Sequence, residues 1–271
     1  MPELPEVEIT TRNLQSILDL PTPIIAFEFY RGDLRNKIPI KALQKMNGSE
    51  LVRIYRRAKF IVFEFSKGNV ISHLGMTGSW RLEQTGWVLR KHDHIALSFN
   101  GNRSLVYNDP RRFGEFDLYT DAEMQQRFEA FGPEPLHADT NWPEITAKFK
   151  NLKTEIKVCL MNQKYLVGVG NIYASEALFY AGIRPGKKAN RLSVREYDGL
   201  WKQVQIVLQK AIDCGGSSIQ DFRNGYGEAG NFQNHFAVYG RANDDCLICK
   251  NKIKVKNFSG RSTFWCAQCQ K

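Results

Sequence analysis

Pro2 stands one residue from the start of the chain, followed directly by Glu3 and, three positions later, Glu6. A small second residue favours removal of the initiator, which leaves a secondary amine at the chain end. An α-amine has an ordinary pKa near ~8 against ~10.4 for Lys, so more of it is unprotonated and nucleophilic at neutral pH. Attack by a secondary amine on a sugar carbon gives a charged iminium, which draws electrons from the neighbouring C–H. Glu3 and Glu6 would then supply the carboxylates for proton transfer. The same residues also describe a plain helix start, with Pro tolerated in the first turn and acids favoured by the dipole.

A second constellation lies at the other end. Cys246-x-x-Cys249 and Cys266-x-x-Cys269 are two knuckles separated by sixteen residues, a spacing that fits a four-thiolate zinc ribbon. One structural Zn2+ is expected, because four cysteines leave no open ligand position. The segment between the knuckles reads as a β-hairpin with Arg261 at its turn, and a metal would hold so small a hairpin rigid. Cys159 and Cys214 sit in apolar helical context and read as buried thiols. His92 and His94 have metal-like spacing but no third ligand in sight, and His92 facing phosphate is the better reading.

Four further places carry groups suited to a nucleic acid. His73-Leu74-Gly75-Met76-Thr77-Gly78 projects Met76 from a glycine-bounded loop, and Asp109-Pro110-Arg111-Arg112-Phe113-Gly114 sets Arg111 and Phe113 at a turn. Apolar wedges with a guanidinium in the vacated space are one way to make a duplex release a nucleotide; anchoring of the two turns is the plainer alternative. Lys59 follows Arg56-Arg57 at the start of a strand, as a group that meets DNA or as part of a solvated basic face. Gly168-Val169-Gly170-Asn171 joins two helical stretches, with Asn171 placed as a cap and backbone N–H groups available to phosphate; a packed turn explains it equally.

These residues need a scaffold, and the chain supplies one in order. Residues 3–19 read as an amphipathic helix. Seven strands follow, at Ile24–Tyr30, Leu51–Tyr55, Lys59–Phe65, Val70–His73, His94–Phe99, Ser104–Tyr107 and Glu115–Tyr119, which suggests an antiparallel sandwich. Gly132-Pro133-Glu134-Pro135 is a linker, and helices are expected at roughly 121–130, 142–150, 153–163, 171–181, 193–213 and 217–223. The fold class is α+β, with parts at residues 1–131, 132–240 and 241–271. The 271 residues carry a net charge of +10, a balance that points to a polyanionic partner. No apolar run reaches the roughly 18 residues of a membrane span.

Taken together, the motifs resemble formamidopyrimidine-DNA glycosylase over nearly the whole chain. The markers are Pro2-Glu3-Leu4-Pro5-Glu6-Val7-Glu8, Arg56-Arg57-Ala58-Lys59, His73-Leu74-Gly75-Met76, Lys91-His92-Asp93-His94, Asp109-Pro110-Arg111-Arg112-Phe113-Gly114, Val167-Gly168-Val169-Gly170-Asn171-Ile172-Tyr173, Val238-Tyr239-Gly240-Arg241 and the four cysteines. The resemblance implies an N-terminal helix with a β-sandwich, then a helix–two-turn–helix domain and a zinc finger, with damaged double-stranded DNA as partner. It implies Pro2 as the nucleophile that forms the Schiff base, Glu3 as acid/base with Glu6 beside it, Lys59 in β-elimination and Arg261 in δ-elimination. Met76, Arg111 and Phe113 correspond to void-filling residues, and His92, Arg111, Lys153 and Asn171 to DNA contacts. The substrates implied are oxidised purines, 8-oxoguanine and formamidopyrimidines. The stretch Ser217–Phe232, rich in Gly and polar residues, suits a mobile lid.

Two departures touch packing: Val158 stands where the family often has proline, and Leu18–Pro23 lacks the usual glycine. The related endonuclease VIII type begins Pro-Glu-Gly-Pro and differs at Leu4; a non-catalytic zinc-ribbon DNA binder is the rival from another class. The expected setting is a monomer in the bacterial cytoplasm, at the nucleoid.

Overall fold

A computed structural model describes residues 1–84, 86–217 and 230–271. They divide into two compact units: Met1–Glu129 with Cys214–Asn231, and Ala130–Asp213 with Phe232–Lys271.

The first unit opens with α1 (Leu4–Ile17), whose buried stripe includes Leu4, Val7 and Leu14. Glu3 and Glu6 form a reciprocal capping box at its start, satisfying donors that a helix N-terminus otherwise leaves unpaired. Then come β1 (Thr22–Phe29), the short α2 (Ile40–Gln44), β2 (Glu50–Arg57), β3 (Phe60–Phe65), β4 (Gly68–His73), β5 (Ser79–Gln84), β6 (Asp93–Phe99), β7 (Arg103–Asn108), β8 (Glu115–Tyr119) and α3 (Asp121–Glu129). The strand order is β5-β7-β6-β1-β2-β3-β4-β8, with antiparallel pairing.

Strand β1 is where this sheet folds over. Its first residues, Thr22 and Pro23, pair with β2, whereas Ile24–Phe29 pair with β6 across a register shift. Aromatic rings from the two halves then meet: Phe27 and Phe65 lie 5.5 Å apart, Phe63 and Trp80 5.3 Å. The expected sandwich is therefore present, with eight strands rather than seven. The additional strand, β5, is an edge strand whose Arg81 and Glu83 hide it from a search for apolar alternation.

The second unit is helical. It contains α4 (Trp142–Lys150), α5 (Ile156–Leu160), α6 (Asn171–Tyr180) and α7 (Val194–Asp213), then the hairpin β9 (Ile253–Phe258) and β10 (Arg261–Cys266). Trp201 stacks on Trp142 at 5.1 Å and meets Phe149 edge-on at 5.2 Å, joining α4 to α7. The helix expected at 153–163 shortens to α5, because Leu152–Glu155 instead bond across to residues 187–190. The expected helix 217–223 lies, but for Ser217, outside the described residues, as does most of the expected lid. No helix among the described residues is long and apolar enough to cross a membrane.

Candidate active site and metal centre

In the first unit, α1 delivers a cluster of charge to the chain start. Pro2 is buried, and Glu3 and Glu6 are 2% and 1% exposed. The Oε2 atom of Glu6 accepts the Glu3 N–H at 2.9 Å; its Oε1 accepts the Ser217 N–H at 2.8 Å and the Ser217 hydroxyl at 2.9 Å. Lys59 is buried in the turn between β2 and β3, next to Ala58 in the left-handed region at φ +54. Arg56 fixes that turn to the helix: its Nε donates to Glu8 at 2.7 Å and its Nη1 to the Ala58 carbonyl at 3.0 Å. Burial pushes the Glu8 carboxyl up, but the Arg56 and Arg12 guanidiniums outweigh it and hold the group below the usual carboxylate range.

The α-amine of Met1, one residue before Pro2, senses this neighbourhood. Burial lowers its pKa; Glu3 and Glu6 oppose that shift, while Lys59 and Arg111 add to it. Two carboxylates and two cations from α1, the β2–β3 turn and the loop after β7 therefore act on one nitrogen. Desolvation that favours the neutral amine makes it a better nucleophile.

Arg111 and Phe113 extend from the loop 109–114, with the Arg111 guanidinium 4.8 Å from the Phe113 ring centre. Phe113 is 47% exposed, so it does not anchor the core. The neighbouring loop 74–78 carries Met76. A Cβ placed on Gly75 would stand 2.3 Å from the Phe113 carbonyl carbon, so the two backbones touch and only glycine fits. His73 Nδ1 accepts the Gly75 N–H at 3.0 Å. Burial, with Lys59, Arg35 and Arg127 nearby, pushes the His73 pKa down to about 4. His92 precedes β6 in the left-handed region at φ +74, and His94 is buried with Nε2 2.9 Å from the Asp109 carbonyl. The pair thus borders the Asp109 turn.

In the second unit, Asn171 begins α6, but the capping position belongs to Gly170. The cap expected of Asn171 is corrected accordingly: its Oδ1 accepts from Lys157 Nζ at 2.6 Å and its Nδ2 donates to the Ser262 carbonyl at 3.1 Å. Lys157, 1% exposed, also donates to Thr263 Oγ1 at 2.8 Å. An ammonium buried to this degree is stable only when its donors are met. Here it binds α6 to the residues just after Arg261. Arg261 is the exposed first residue of β10, paired with Phe258 across a turn whose Ser259 and Gly260 both have positive φ, +48 and +76, the geometry that matches strand twist. Lys153 is exposed in the loop before α5.

Lys157 escaped the sequence reading as a functional group, although a lysine inside the apolar run Ile156–Leu160 is a signal. Glu176 escaped too. It is fully buried and accepts the N–H groups of Ala237, Val238 and Tyr239 at 2.8–3.0 Å, fixing the chain that leads into the hairpin.

The sulfurs of Cys246, Cys249, Cys266 and Cys269 all lie within 4.8 Å of one another. Cys246 and Cys269 are 3.8 Å apart, Cys249 and Cys266 3.3 Å. A tetrahedron with Zn–S bonds of ~2.3 Å has edges of about 3.8 Å, so the cage fits zinc. Asn251 Nδ2 and the Cys269 N–H approach the Cys249 and Cys266 sulfurs at 3.5 Å, as outer donors to thiolates do. Cys246 and Cys266 pack with Phe179 of α6 and Ile253, so the ion would bind the finger to the helical core. Cys159 is buried as expected, and burial pushes its thiol up to about 11; Cys214 is only half-buried.

Residues 1–116 match the formamidopyrimidine-DNA glycosylase N-terminal domain, residues 131–223 its H2TH domain, and residues 245–271 the zinc finger found in FPG and IleRS. A formamidopyrimidine-DNA glycosylase of Bdellovibrio bacteriovorus is 46% identical over 271 residues, covering 100% of both chains. The Lactococcus lactis Fpg (MutM), solved with a DNA containing N7-benzyl-Fapy-dG, superposes with a TM-score of 0.91 at 34% identity and 100% coverage of both. A MutM solved with carbocyclic 8-oxo-G DNA gives 0.91 at 34% identity and the same coverage.

Proposed function

The chain belongs to the formamidopyrimidine-DNA glycosylase family, whose members are DNA glycosylases with lyase activity at abasic sites, and we propose that it excises oxidised purines through Pro2. Solved relatives bind a formamidopyrimidine lesion and an 8-oxoguanine analogue, which supports this substrate class for the present chain. The observation that carries the mechanism is that Pro2 lies buried with the buried carboxylates of Glu3 and Glu6 beside it, where Lys59 and Arg111 also act electrostatically on the preceding Met1 amine.

With Met1 removed, the Pro2 nitrogen attacks C1′, and the bond to the base breaks with its electron pair leaving on the base. The sugar ring opens, Glu3 serving as proton donor, and the iminium forms. Its positive charge acidifies the C2′ proton; loss of that proton expels the 3′ phosphate, with Lys59 as the β-elimination residue. A second elimination expels the 5′ phosphate, assigned to Arg261. Glu6, committed to Glu3 and Ser217, keeps the site's first turn in place. Met76, Arg111 and Phe113 occupy the space of the everted nucleotide, and Phe113's exposure supports that role. His92, Arg111, Lys153 and Asn171 meet the DNA. Zinc supplies no reaction chemistry; held by Cys246, Cys249, Cys266 and Cys269, it fixes the hairpin that carries Arg261.

The parts 1–131, 132–240 and 241–271 are read as catalytic, DNA-binding and finger modules. A monomer at the bacterial nucleoid is the proposed setting; the net charge of +10 supports contact with a polyanion there.

The experiment is borohydride trapping on 8-oxoguanine and abasic duplexes. Protein with its mature terminus established by mass spectrometry should become covalently linked to both, and Pro2→Gly, which fails to release the base, should not be linked to the 8-oxoguanine duplex. Trapping of Pro2→Gly on that duplex at the wild-type yield would refute the nucleophile assignment.

A further inference from the structure

The wedge residues sit on two loops, 74–78 with Met76 and 109–114 with Arg111 and Phe113. One side chain spans the gap between them twice. The Thr77 hydroxyl donates to Asp109 Oδ1 at 2.5 Å and accepts the Arg111 N–H at 3.1 Å. Its single proton and its lone pairs suit that double duty, which a methyl group cannot perform. Asp109 is fully buried, and its Oδ2 accepts the Gly114 N–H at 2.8 Å. The carboxylate therefore ties the far end of its own loop to the loop of Met76. The backbones on either side have little slack: Gly75 and Arg112 are both in the left-handed region, at φ +59 and +57.

We propose that Thr77 is a positioning residue, whose hydroxyl latches the Met76 loop to the Arg111–Phe113 loop so that the three side chains enter a base stack as one rigid wedge. This rests on the void-filling role proposed above. Insertion into a stack orders every group that takes part, and ordering is cheaper when the groups are already fixed to one another. Without the hydroxyl, Asp109 Oδ1 loses a charge-assisted bond and the Arg111 N–H loses its acceptor. The two loops then sample their positions separately, and eversion slows before any bond is broken.

The test compares Thr77→Val, which keeps the shape without the hydroxyl, with Thr77→Ser, which keeps the hydroxyl. The readout is a ratio: single-turnover excision of 8-oxoguanine from a duplex, divided by nicking of a single-stranded abasic oligonucleotide that has no stack to open. Thr77→Val should lower the ratio at least ~10-fold, equivalent to about 1.4 kcal/mol, and Thr77→Ser should restore most of it. A 2-aminopurine beside the lesion should report slower unstacking in the Val variant only. Should Thr77→Val not fold, Thr77→Ala carries the same comparison. Active wild-type protein with an unchanged ratio in a folded hydroxyl-less variant overturns the latch alone. Wild-type protein that neither excises the lesion nor nicks the abasic strand overturns both the latch and the function on which it rests.

Discussion

Glu6 and Ser217, 211 positions apart, are bound twice: one carboxylate oxygen accepts both the Ser217 backbone N–H and its hydroxyl, at 2.8 and 2.9 Å. The other oxygen accepts the Glu3 N–H, so both sides of this carboxylate face donors. Glutamine at position 6 offers only one oxygen, and its amide would turn N–H groups toward a donor. Glu6→Gln should therefore cost about 1–3 kcal/mol of stability, whereas Ser217→Ala, which removes one hydroxyl bond, should cost about 1 kcal/mol. Urea denaturation measures both; equal midpoints for Glu6→Gln and wild type would contradict this bonding.

Histidine 73 gives a pH signature. Burial, assisted by Lys59, Arg35, Arg127 and the chain-start amine, holds its pKa at about 4, against an ordinary value near ~6.5. The unfolded chain thus binds a proton here that the folded chain refuses, and stability falls as pH drops from about 6.5 to about 4. The loss attributable to this residue is about 3–4 kcal/mol at most. His73→Asn keeps an acceptor for the Gly75 N–H but cannot titrate in this range. Denaturation curves should show the wild type losing more stability than the variant over that interval, and parallel curves would exclude the assignment.

Much of this was legible in the chain, for identifiable reasons. Strands dense in β-branched and aromatic residues, such as Phe60–Phe65, announce themselves, and the cysteine pairs fix both ligands and hairpin. What escaped depends on partners distant in sequence. β5 reads as polar because it is an edge strand. Asn171 looks like a cap until Lys157 and Ser262 claim its side chain from 14 and 91 positions away. The latch between Thr77 and Asp109 is equally invisible, since only folding brings positions 32 apart to bonding distance.

Metal removal should act on the hairpin. The finger's small core contains two of the ligands themselves, Cys246 and Cys266, and metal binding supplies most of the folding energy of such modules. A strong chelator should release one zinc ion per chain, seen with a metal-sensitive dye, and DNA affinity should fall at least ~10-fold as Arg261 loses its fixed mount. Full affinity after complete zinc release would show that the hairpin stands without its ion.

Lys157 places a buried ammonium in the second unit. Its bonds to Asn171 Oδ1 and Thr263 Oγ1, at 2.6 and 2.8 Å, join the start of α6 to β10 beside Arg261. Lys157→Met fills similar volume but leaves those oxygens facing a thioether, and hydrogen bonds to charged groups are worth about 1.5–3 kcal/mol each. Some of that loss returns because the ammonium no longer has to be desolvated, so the net destabilisation should be about 2–3 kcal/mol. Thermal unfolding measures it. Nicking should fall further than base release, since Arg261, assigned to the last elimination, follows β10 while the Pro2 end of the chain does not contain this bond. A variant that melts like wild type, with both steps equally intact, would show that the ammonium contributes nothing to holding Arg261.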